Sequence, residues 1–344
     1  MAAHVLAGAR DTGPAGRGAS AVHRLTTLLE LPGGDPDVED VARVVVAALE
    51  SARQTGQAEL LADALGFAEG RFQVLGHAGV TRQDVCVALQ GVAAESLDGD
   101  DPDGLDVLRD LVAGCASQPF APPEEPVLGP PAAAYLDRVV RGDRAGAVAV
   151  VHRCVSDGMD VVDILVEILA PVQVEVGRRW YLGQLSVAHE HFCTAVSQLV
   201  MTELYTEIFL GQDGARRVVA VHAPGSLHRL GLRMVVDVLQ CRGWGTTYVI
   251  DDVLPEALPR LLTEDRADVL LLSATMPSEV DHLRRMIRAV RHDPRTRGVK
   301  VVVGGRAFEL APGLVDHVGA DGCASDARTA VQTCRALVGD HDGR

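Results

Sequence analysis

Long apolar runs, clusters of basic residues and aromatic side chains are scarce in this sequence. Its 344 residues include 47 acidic and 32 basic ones, and only 3% are Phe, Trp or Tyr. No apolar segment approaches the roughly 20 residues that a transmembrane helix needs, and the N-terminus has no basic-then-apolar signal pattern. We therefore expect a cytoplasmic protein with no membrane partner.

Basic residues are too thinly spread to form a nucleic-acid-binding face. Residues 1–130 contain 20 acidic and 8 basic residues, whereas residues 131–344 contain 27 and 24. Counterion release along a phosphate backbone requires clustered Lys and Arg, which neither part has. The composition thus predicts no DNA binding, and it defines an acid-rich front part with a net charge of -12.

Cysteine pairs with the spacing of a zinc site or a disulfide framework are also missing. The seven cysteines are scattered, odd in number and never spaced as a CxxC pair. This pattern argues against a structural zinc ion and against a disulfide-stapled fold. We expect reduced thiols that pack as small apolar side chains.

The front part of the chain has helical periodicity. The Ala-, Gly- and Arg-rich residues 1–35 predict a loose tail that leads to a short helix over 25–31. A longer helix is expected after Asp35, where an acidic first turn precedes apolar residues at helical spacing. Further helices are expected over 63–75, 81–97 and 103–116. Residues 1–117 are therefore predicted to form an acidic all-helical module.

Six prolines in residues 118–131 mark the clearest domain boundary. Because proline lacks an N–H donor and cannot propagate a helix, this stretch predicts an extended linker. Four helical segments with short connections follow, and they predict an antiparallel four-helix bundle within 132–212. Their expected spans are 132–141, 143–156, 161–180 and 186–209.

From residue 216 onward, short β-branched runs alternate with helices. Strands are expected over 218–222, 246–250, 269–273, 299–303 and 321–323. Five strands joined by helices predict a Rossmann-like or flavodoxin-like parallel sheet within 213–344. The predicted fold class is thus an all-α N-terminal module, a four-helix bundle and an α/β domain with a five-stranded parallel sheet. Ligands on such sheets bind at the carboxyl ends of the strands, so the loops after Ala223, Ser273 and Val303 form the candidate site.

The loop after the first strand reads Pro-Gly-Ser-Leu-His-Arg-Leu-Gly over residues 224–231. It has neither the G-x-G-x-x-G of a dinucleotide loop nor the Gly-Lys-Ser/Thr of a P-loop. It does place His228 at the carboxyl end of the strand, with Gly231 three residues later at the start of the next helix. An isolated loop histidine is more often an ordinary surface residue, so this loop is informative only together with others.

Small residues end the third and fourth strands. The third ends in Ser273-Ala274-Thr275, and the fourth runs into Gly304-Gly305. Such residues either leave a slot for a long ligand tail between the strand ends and the helices, or simply make turns.

Together the three loops resemble the cobalamin-binding domain family, whose pattern is Asp-x-His-x-x-Gly, then Ser-x-(Leu or Thr), then Gly-Gly. The resemblance covers residues 216–338 and implies that His228 is the lower axial ligand of cobalt. It also implies a slot for the nucleotide tail lined by Ser273, Thr275, Gly304 and Gly305. Ser226 stands where the family has its acid. Because that acid hydrogen-bonds the other ring nitrogen of the histidine, its replacement should weaken or retune the ligation.

A second pattern lies in the bundle, where Trp180 is followed after nine residues by Glu190 and His191, with Val187 on the same helix face. It resembles the signature of cobalamin-dependent photoreceptors of the CarH type, whose bundle caps the upper face of adenosylcobalamin. The resemblance implies that Trp180 fills the pocket around the adenosyl group, and that Glu190 and His191 hydrogen-bond its ribose or adenine. The alternative is a tryptophan that closes a bundle end beside a solvated Glu-His pair.

One position departs from the CarH pattern. The family has a histidine directly after this tryptophan, thought to ligate cobalt after photolysis, whereas this chain has Tyr181. The resemblance therefore gives no upper ligand for the state after illumination.

The front module differs from that of the CarH-type repressors, which carry a basic MerR-like DNA-binding domain there. Residues 1–117 are suited to dimerisation or partner docking, or to a second chromophore pocket like that of the photocobilins, which bind biliverdin beside the corrin. Candidate bilin contacts are Arg71, His77, Arg82 and Cys86. Ordinary surface and core roles for these four side chains are an equal alternative.

The resemblance as a whole predicts a light sensor rather than an enzyme. It implies bound adenosylcobalamin, a light-dependent homo-oligomer, and an unidentified downstream signalling protein. The alternative is a corrinoid carrier protein for methyl transfer, which uses the same bundle and sheet. A mutase is disfavoured because the pattern contains no barrel domain. A cobalamin-free scaffold is a third reading, motivated by Ser226 alone.

Overall fold

The computed structural model describes residues 17–32, 34–96, 102–116, 123–205 and 215–339. They divide into two compact units. The first consists of the described residues of Met1–Glu124 together with Arg179–Gln184, and the second consists of those of Glu125–Arg178 and Leu185–Arg344.

The first unit is helical throughout its regular structure, as the sequence predicts. Its helices are α1 (Arg17–Leu28), α2 (Pro36–Thr55), α3 (Ala58–Val74), α4 (Arg82–Ser96) and α5 (Pro102–Ala116). Asp35 caps α2 by accepting from two backbone N–H groups of its first turn, and Gly56 ends the helix in a left-handed conformation. Helix α3 begins five residues before the expected start, because the helix-forming residues 58–62 extend it.

A continuous apolar core holds these helices together. Leu25 of α1, Val45 of α2, Leu65 of α3 and Leu89 of α4 are fully buried in one cluster with Phe72. Burial of such side chains contributes about 1.5–3 kcal/mol each, so the acid-rich surface encloses an ordinary apolar interior.

The second unit begins with the four-helix bundle. Its elements are α6 (Pro130–Val140), α7 (Arg144–Ser156), α8 (Val161–Asp163), a π-helical turn (Ile164–Leu169), α9 (Ala170–Tyr181) and α10 (Val187–Glu203). The predicted helix over 161–180 therefore contains a π-helical turn. The helix predicted over 186–209 ends at Glu203 in the described residues, and its expected part over 206–209 lies outside them.

Five parallel strands form the sheet of the second unit: β1 (Arg217–His222), β2 (Gly245–Val249), β3 (Val269–Ser273), β4 (Lys300–Gly304) and β5 (Gly322–Ala324). Their order is β2-β1-β3-β4-β5, which is the flavodoxin-like arrangement. The predicted fold class is confirmed. Strands β1 and β3 are buried almost along their whole length, as expected of a sheet covered by helices on both faces.

The connecting helices are α11 (Leu230–Cys241), α12 (Leu258–Glu264), α13 (Val280–His292), α14 (Arg306–Leu310), α15 (Leu314–Val318) and α16 (Ala327–Val338). Pro312 and Gly313 separate α14 from α15, because proline cannot continue the first helix. Arg328 of α16 joins the sheet domain to the bundle through Asp163 at 2.6 Å and Glu167 at 2.8 Å.

Among the described helices, none combines the length and apolar character needed to cross a bilayer. All seven cysteines are free thiols.

Candidate functional site

The sheet register brings the predicted loops to one edge. His222 at the end of β1 pairs with Ser273 of β3, and Ser273 in turn pairs with Gly304 of β4. The loops that follow these residues therefore leave the sheet side by side, at the crevice where ligands bind in this fold.

The loop between β1 and α11 is fixed from several sides. Gly225 has a φ of 76° and donates its N–H to the Asp252 carboxylate at 2.9 Å. The N–H of Ser226 donates to the carbonyl of Ala223 at 3.0 Å. The Tyr248 hydroxyl donates to the carbonyl of Arg229 at 3.1 Å, just before α11 begins. These hydrogen bonds fix the backbone conformation of the loop around His228 without a bound ligand.

His228 is half-buried, and its Nδ1 atom is buried with no hydrogen-bond partner among the described residues. Burial lowers the pKa of His228 to about 4, so the imidazole is neutral at neutral pH. A neutral imidazole has a free lone pair, which is the form that ligates a metal. An unpartnered buried ring nitrogen is costly, and it points to a partner or ligand that completes this side chain.

Ser226 and Glu279 are buried polar residues of two of the site loops. Both are almost fully buried. Glu279 Oε2 also accepts the N–H of Thr275 at 2.6 Å and that of Met276 at 3.0 Å. Burial raises the pKa of Glu279. Sequence reasoning missed this residue; a Glu three positions after Met276, at the start of a helical turn, was the local signal.

The two glycines at the end of β4 are required by backbone packing. A Cβ at Gly304 would lie 2.7 Å from the carbonyl oxygen of Ala324, and one at Gly305 would overlap the carbonyl oxygen of Ala274. Gly305 also has a φ of 95°, which side chains rarely adopt. These contacts explain the glycines independently of a ligand slot. At Gly231 the structure leaves open space, so no close approach demands a glycine there.

The N-terminal turn of α10 carries the other predicted group. Glu190 is buried, with Oε2 2.8 Å from Nδ1 of His191 and Oε1 accepting from the Thr194 hydroxyl at 3.0 Å. Val187 is half-buried on the same helix. The carboxylate is thus held within the bundle, while the imidazole that it orients is partly exposed.

Trp180 lies in the first compact unit, although its helix starts in the bundle. Its ring packs against Phe67 with 5.8 Å between centroids, and the guanidinium of Arg71 lies 5.0 Å from its centroid. Tyr181 also packs on Phe67, at 5.7 Å. The cation–π and aromatic contacts each contribute about 0.5–1.5 kcal/mol. Helix α3 therefore holds the Trp180 ring in place through Phe67 and Arg71.

The four candidate bilin contacts lie in different surroundings. Arg71 is held by Trp180, and Arg82 is buried with the Glu69 carboxylate 3.6 Å away. Burial raises the pKa of the Cys86 thiol to about 11, which keeps it protonated and unreactive. His77 is half-buried beyond the end of α3. The described contacts do not gather these side chains around one ligand.

Comparison with known proteins identifies the two modules of the second unit. Residues 132–205 and 216–335 each match a family described as B12 binding domain.

Three relatives illustrate the range. The chain is 22% identical over 207 residues to the monomethylamine corrinoid protein 1 of Methanosarcina mazei, covering 58% of this chain and 94% of that protein. It is 32% identical over 142 residues to the HTH-type transcriptional repressor CarH of Myxococcus xanthus, covering 41% of this chain and 46% of CarH. The solved structure of the Methanosarcina barkeri monomethylamine corrinoid protein shares the fold, with a TM-score of 0.52, 21% identity and coverage of 59% of this chain and 95% of that one.

The fold and the matches define a protein with cobalamin-binding domains, and the relatives support membership of a cobalamin-binding family. The loop geometry fits that cofactor: His228 is neutral, and its buried Nδ1 lacks a partner in the described residues. The assignment of individual residues to the cofactor remains a prediction.

Proposed function

We propose that the chain is a light sensor that binds adenosylcobalamin, with His228 as the lower axial ligand. One observation carries this proposal beyond cobalamin binding. Trp180, which the CarH-type signature places against the adenosyl group, is clasped by Phe67 and Arg71 of the front helices. If the upper ligand moves the Trp180 side chain, that movement would also act on Phe67 and Arg71 of the acid-rich module.

The roles follow from the residues. His228 offers a neutral imidazole, while Ser273, Thr275, Gly304 and Gly305 border the crevice proposed to take the nucleotide tail. Glu190 fixes the ring of His191 through its Nδ1, so the side chain meets the adenosyl group in one orientation. Adenosylcobalamin supplies a cobalt–carbon bond that light breaks, and the protein couples this chemistry to its own shape.

The coupling we propose is a two-state packing change. In this proposal, loss of the adenosyl group lets the bundle shift its packing against the sheet. A bundle with two discrete packings shifts between them according to which state the ligand favours. The proposed readout is a change in homo-oligomeric state, passed to a downstream signalling protein. In this proposal the chain itself catalyses no reaction.

A corrinoid carrier for methyl transfer is the second candidate, and the relatives favour it. Several carry names of methylamine corrinoid proteins, and the matched region spans 91–94% of the first five. Two features of this chain favour the sensor instead. Ser226 replaces the acid that carriers normally keep, and Trp180, Glu190 and His191 form the CarH-type set. The match to the first relative also covers only 58% of this chain.

The two candidates are separated by reconstitution. We would load the full chain with adenosylcobalamin or methylcobalamin in the dark, then record absorption and size-exclusion elution before and after green light. The sensor predicts preference for the adenosyl form and a light-induced change of elution. Adenosyl-selective binding with unchanged elution after photolysis would refute the photoswitch. Equal or better binding of methylcobalamin would favour the carrier.

Biliverdin is a separate proposal that the comparisons do not support, and two of its candidate contacts, Arg71 and Arg82, already have partners. If a bilin binds, biliverdin added to the cobalamin-loaded protein should give a red-absorbing complex that co-elutes with it. Failure to co-elute would refute the proposal of a second chromophore without affecting the proposal of a cobalamin sensor.

A further inference from the structure

A line of polar side chains crosses the interior of the bundle. Glu190, Thr194 and Ser197 of α10 are buried and lie at i, i+4 and i+7, which is the spacing of one helix face. Such an inward face usually carries apolar side chains. Gln173 of α9 and Tyr135 of α6 meet it from the neighbouring helices. We call these five side chains the polar seam.

Direct hydrogen bonds join the polar seam from end to end. The hydroxyls of Tyr135 and Ser197 lie 3.0 Å apart, and the Gln173 amide donates to Ser197 Oγ at 2.8 Å. The Thr194 hydroxyl lies 3.1 Å from Gln173 Oε1 and 3.0 Å from Glu190 Oε1. Buried polar groups are costly even when they are bonded, and an apolar core would avoid that cost. The polar seam therefore calls for a role besides packing.

The Thr194 hydroxyl has one proton for two acceptors. A bond to an ionised carboxylate is stronger than one to a neutral amide, so Glu190 is the stronger acceptor. Thr194 thereby holds Oε1 of Glu190, while Oε2 lies 2.8 Å from Nδ1 of His191. Because both of its oxygens are engaged, the carboxylate keeps one position relative to the imidazole.

The fixed carboxylate selects the tautomer of His191. An ionised carboxylate can only accept, so Nδ1 is the ring nitrogen that carries the proton. In the neutral imidazole Nε2 then carries the lone pair and accepts hydrogen bonds. The side chain of His191 is 37% exposed, so a ligand can reach the ring.

We infer that Thr194 is a positioning residue for ligand specificity: through Glu190 it keeps His191 in the Nδ1–H tautomer, so that Nε2 accepts from a donor group of the upper ligand. In adenosylcobalamin the matching donors are the ribose hydroxyls and the adenine amino group, whereas a methyl group offers none. The tautomer is a property of the chain itself, but the identity of the ligand rests on the proposed function.

The first test determines the tautomer in the full chain without cofactor, by nitrogen-15 NMR of histidine-labelled protein at mildly alkaline pH. His191→Ala identifies the signals of His191 by their absence. We expect Nδ1–H in the wild type, a mixture of tautomers in Thr194→Val, and the wild-type pattern in Thr194→Ser, which restores the hydroxyl. Ser197→Ala is the matched control, because it removes a buried hydroxyl that bonds to Tyr135 and Gln173. It should keep the wild-type tautomer.

Cofactor binding then tests the specificity. Thr194→Val should bind adenosylcobalamin about fivefold more weakly, the value of one hydrogen bond, and hydroxocobalamin as the wild type does. Because Thr194 acts through His191, Thr194→Val combined with His191→Ala should bind adenosylcobalamin no more weakly than the worse single variant. Ser197→Ala should bind both cofactors as the wild type does, even where it is less stable.

Two further cofactors identify the donor. Inosylcobalamin keeps the ribose hydroxyls but lacks the amino group, so the effect of His191→Ala persists with it if a hydroxyl donates and disappears if the amino group does. Methylcobalamin has no nucleoside, and its binding should be unchanged by His191→Ala. An equal loss with methylcobalamin would contradict recognition of a donor group.

The inference is overturned by an Nε2–H tautomer in the wild type, by a Thr194→Val variant that keeps the wild-type tautomer or affinity for adenosylcobalamin, by equal effects of Ser197→Ala, or by losses that multiply in the double variant. If Thr194→Val fails to fold, Thr194→Ala takes its place, and the tautomer of the wild type decides independently. Failure of the proposed function is distinct: then the wild type does not prefer adenosylcobalamin, while the tautomer of the unliganded chain is as inferred.

Discussion

His228 and His191 lie in two regions of the second compact unit, and their imidazoles are held in different ways. His191 stands on a helix, with Nδ1 2.8 Å from the carboxylate of the neighbouring Glu190. His228 stands in a loop whose backbone is tied down by Asp252 and Tyr248, while its own Nδ1 has no partner among the described residues.

The comparison shows how each region orients its imidazole before a ligand binds. Next to Glu190, His191 is orientated before a ligand binds, and a helix end can do this with one adjacent residue. The loop instead fixes the position of His228 through backbone bonds and leaves the ring to be completed on binding. Burial favours the neutral ring of His228. The predictions below test these two arrangements, beginning with the largest expected effect.

A glycine-to-alanine substitution should destabilise the protein at the sheet edge but not in the bundle. Gly305→Ala places a Cβ against the carbonyl of Ala274 at a φ of 95°, so we expect a loss of about 3 kcal/mol in unfolding free energy. Gly177→Ala in α9 is the matched control, because its Cβ would meet open space and should stabilise by about 0.5–1 kcal/mol. Chemical denaturation measures both; equal effects would contradict the packing described at the strand ends.

The buried carboxylate of the bundle is the next test. Glu190→Ala removes the acceptor of His191 and Thr194, and we expect a loss of about 1–3 kcal/mol because these donors lose their buried partner. Asp137→Ala removes an exposed ion pair with Arg141 and should cost less than about 0.5 kcal/mol. A loss for Glu190→Ala as small as that of Asp137→Ala would show that the bundle does not depend on this pair.

The pH dependence of cobalamin binding tests the His228 environment. Burial lowers the pKa of His228 from 6.5 to about 4, so its lone pair stays free as the pH falls through 6.5. Affinity for hydroxocobalamin should therefore hold between pH 8 and 5, and fall about tenfold per pH unit only below the lowered pKa, where a proton competes with the metal. A decline with a midpoint near pH 6.5 would mean that the ring is not desolvated as described.

His191→Ala should have the smallest effect and a selective one. If this side chain meets only the adenosyl group, the variant should bind adenosylcobalamin about fivefold more weakly, the value of one ordinary hydrogen bond. Binding of hydroxocobalamin and its histidine-ligated spectrum should stay unchanged. An equal loss for both cofactors would assign His191 a structural role instead.

Much of the sheet was predictable because its strands are short β-branched runs bounded by polar or glycine residues. Strand β3 spans Val269–Ser273 as expected, and the other strands start within one residue of the predicted positions. The helix ends were less predictable, since residues 58–62 extend the helix that was expected to begin at residue 63. The spacing of apolar residues predicts whether a segment is a helix or a strand better than it predicts the residue at which the segment ends.

The site was predictable only where it depends on local sequence. The strand ends at His222, Ser273 and Gly304 lie side by side, as parallel topology requires. The bond from the Gly225 N–H to Asp252 and the packing of Trp180 on Phe67 were not predicted, because each joins residues far apart in the chain. Such pairs depend on the tertiary arrangement of helices and loops, which periodicity does not encode.

The absorption spectrum of bound hydroxocobalamin, compared between the wild type and His228→Ala, tests the central claim most directly. The account predicts a histidine-ligated spectrum in the wild type, and in the variant an unligated spectrum with affinity at least tenfold weaker, since the metal loses its protein ligand. Identical spectra and affinities for the two proteins would show that His228 does not ligate the cofactor and would contradict the account.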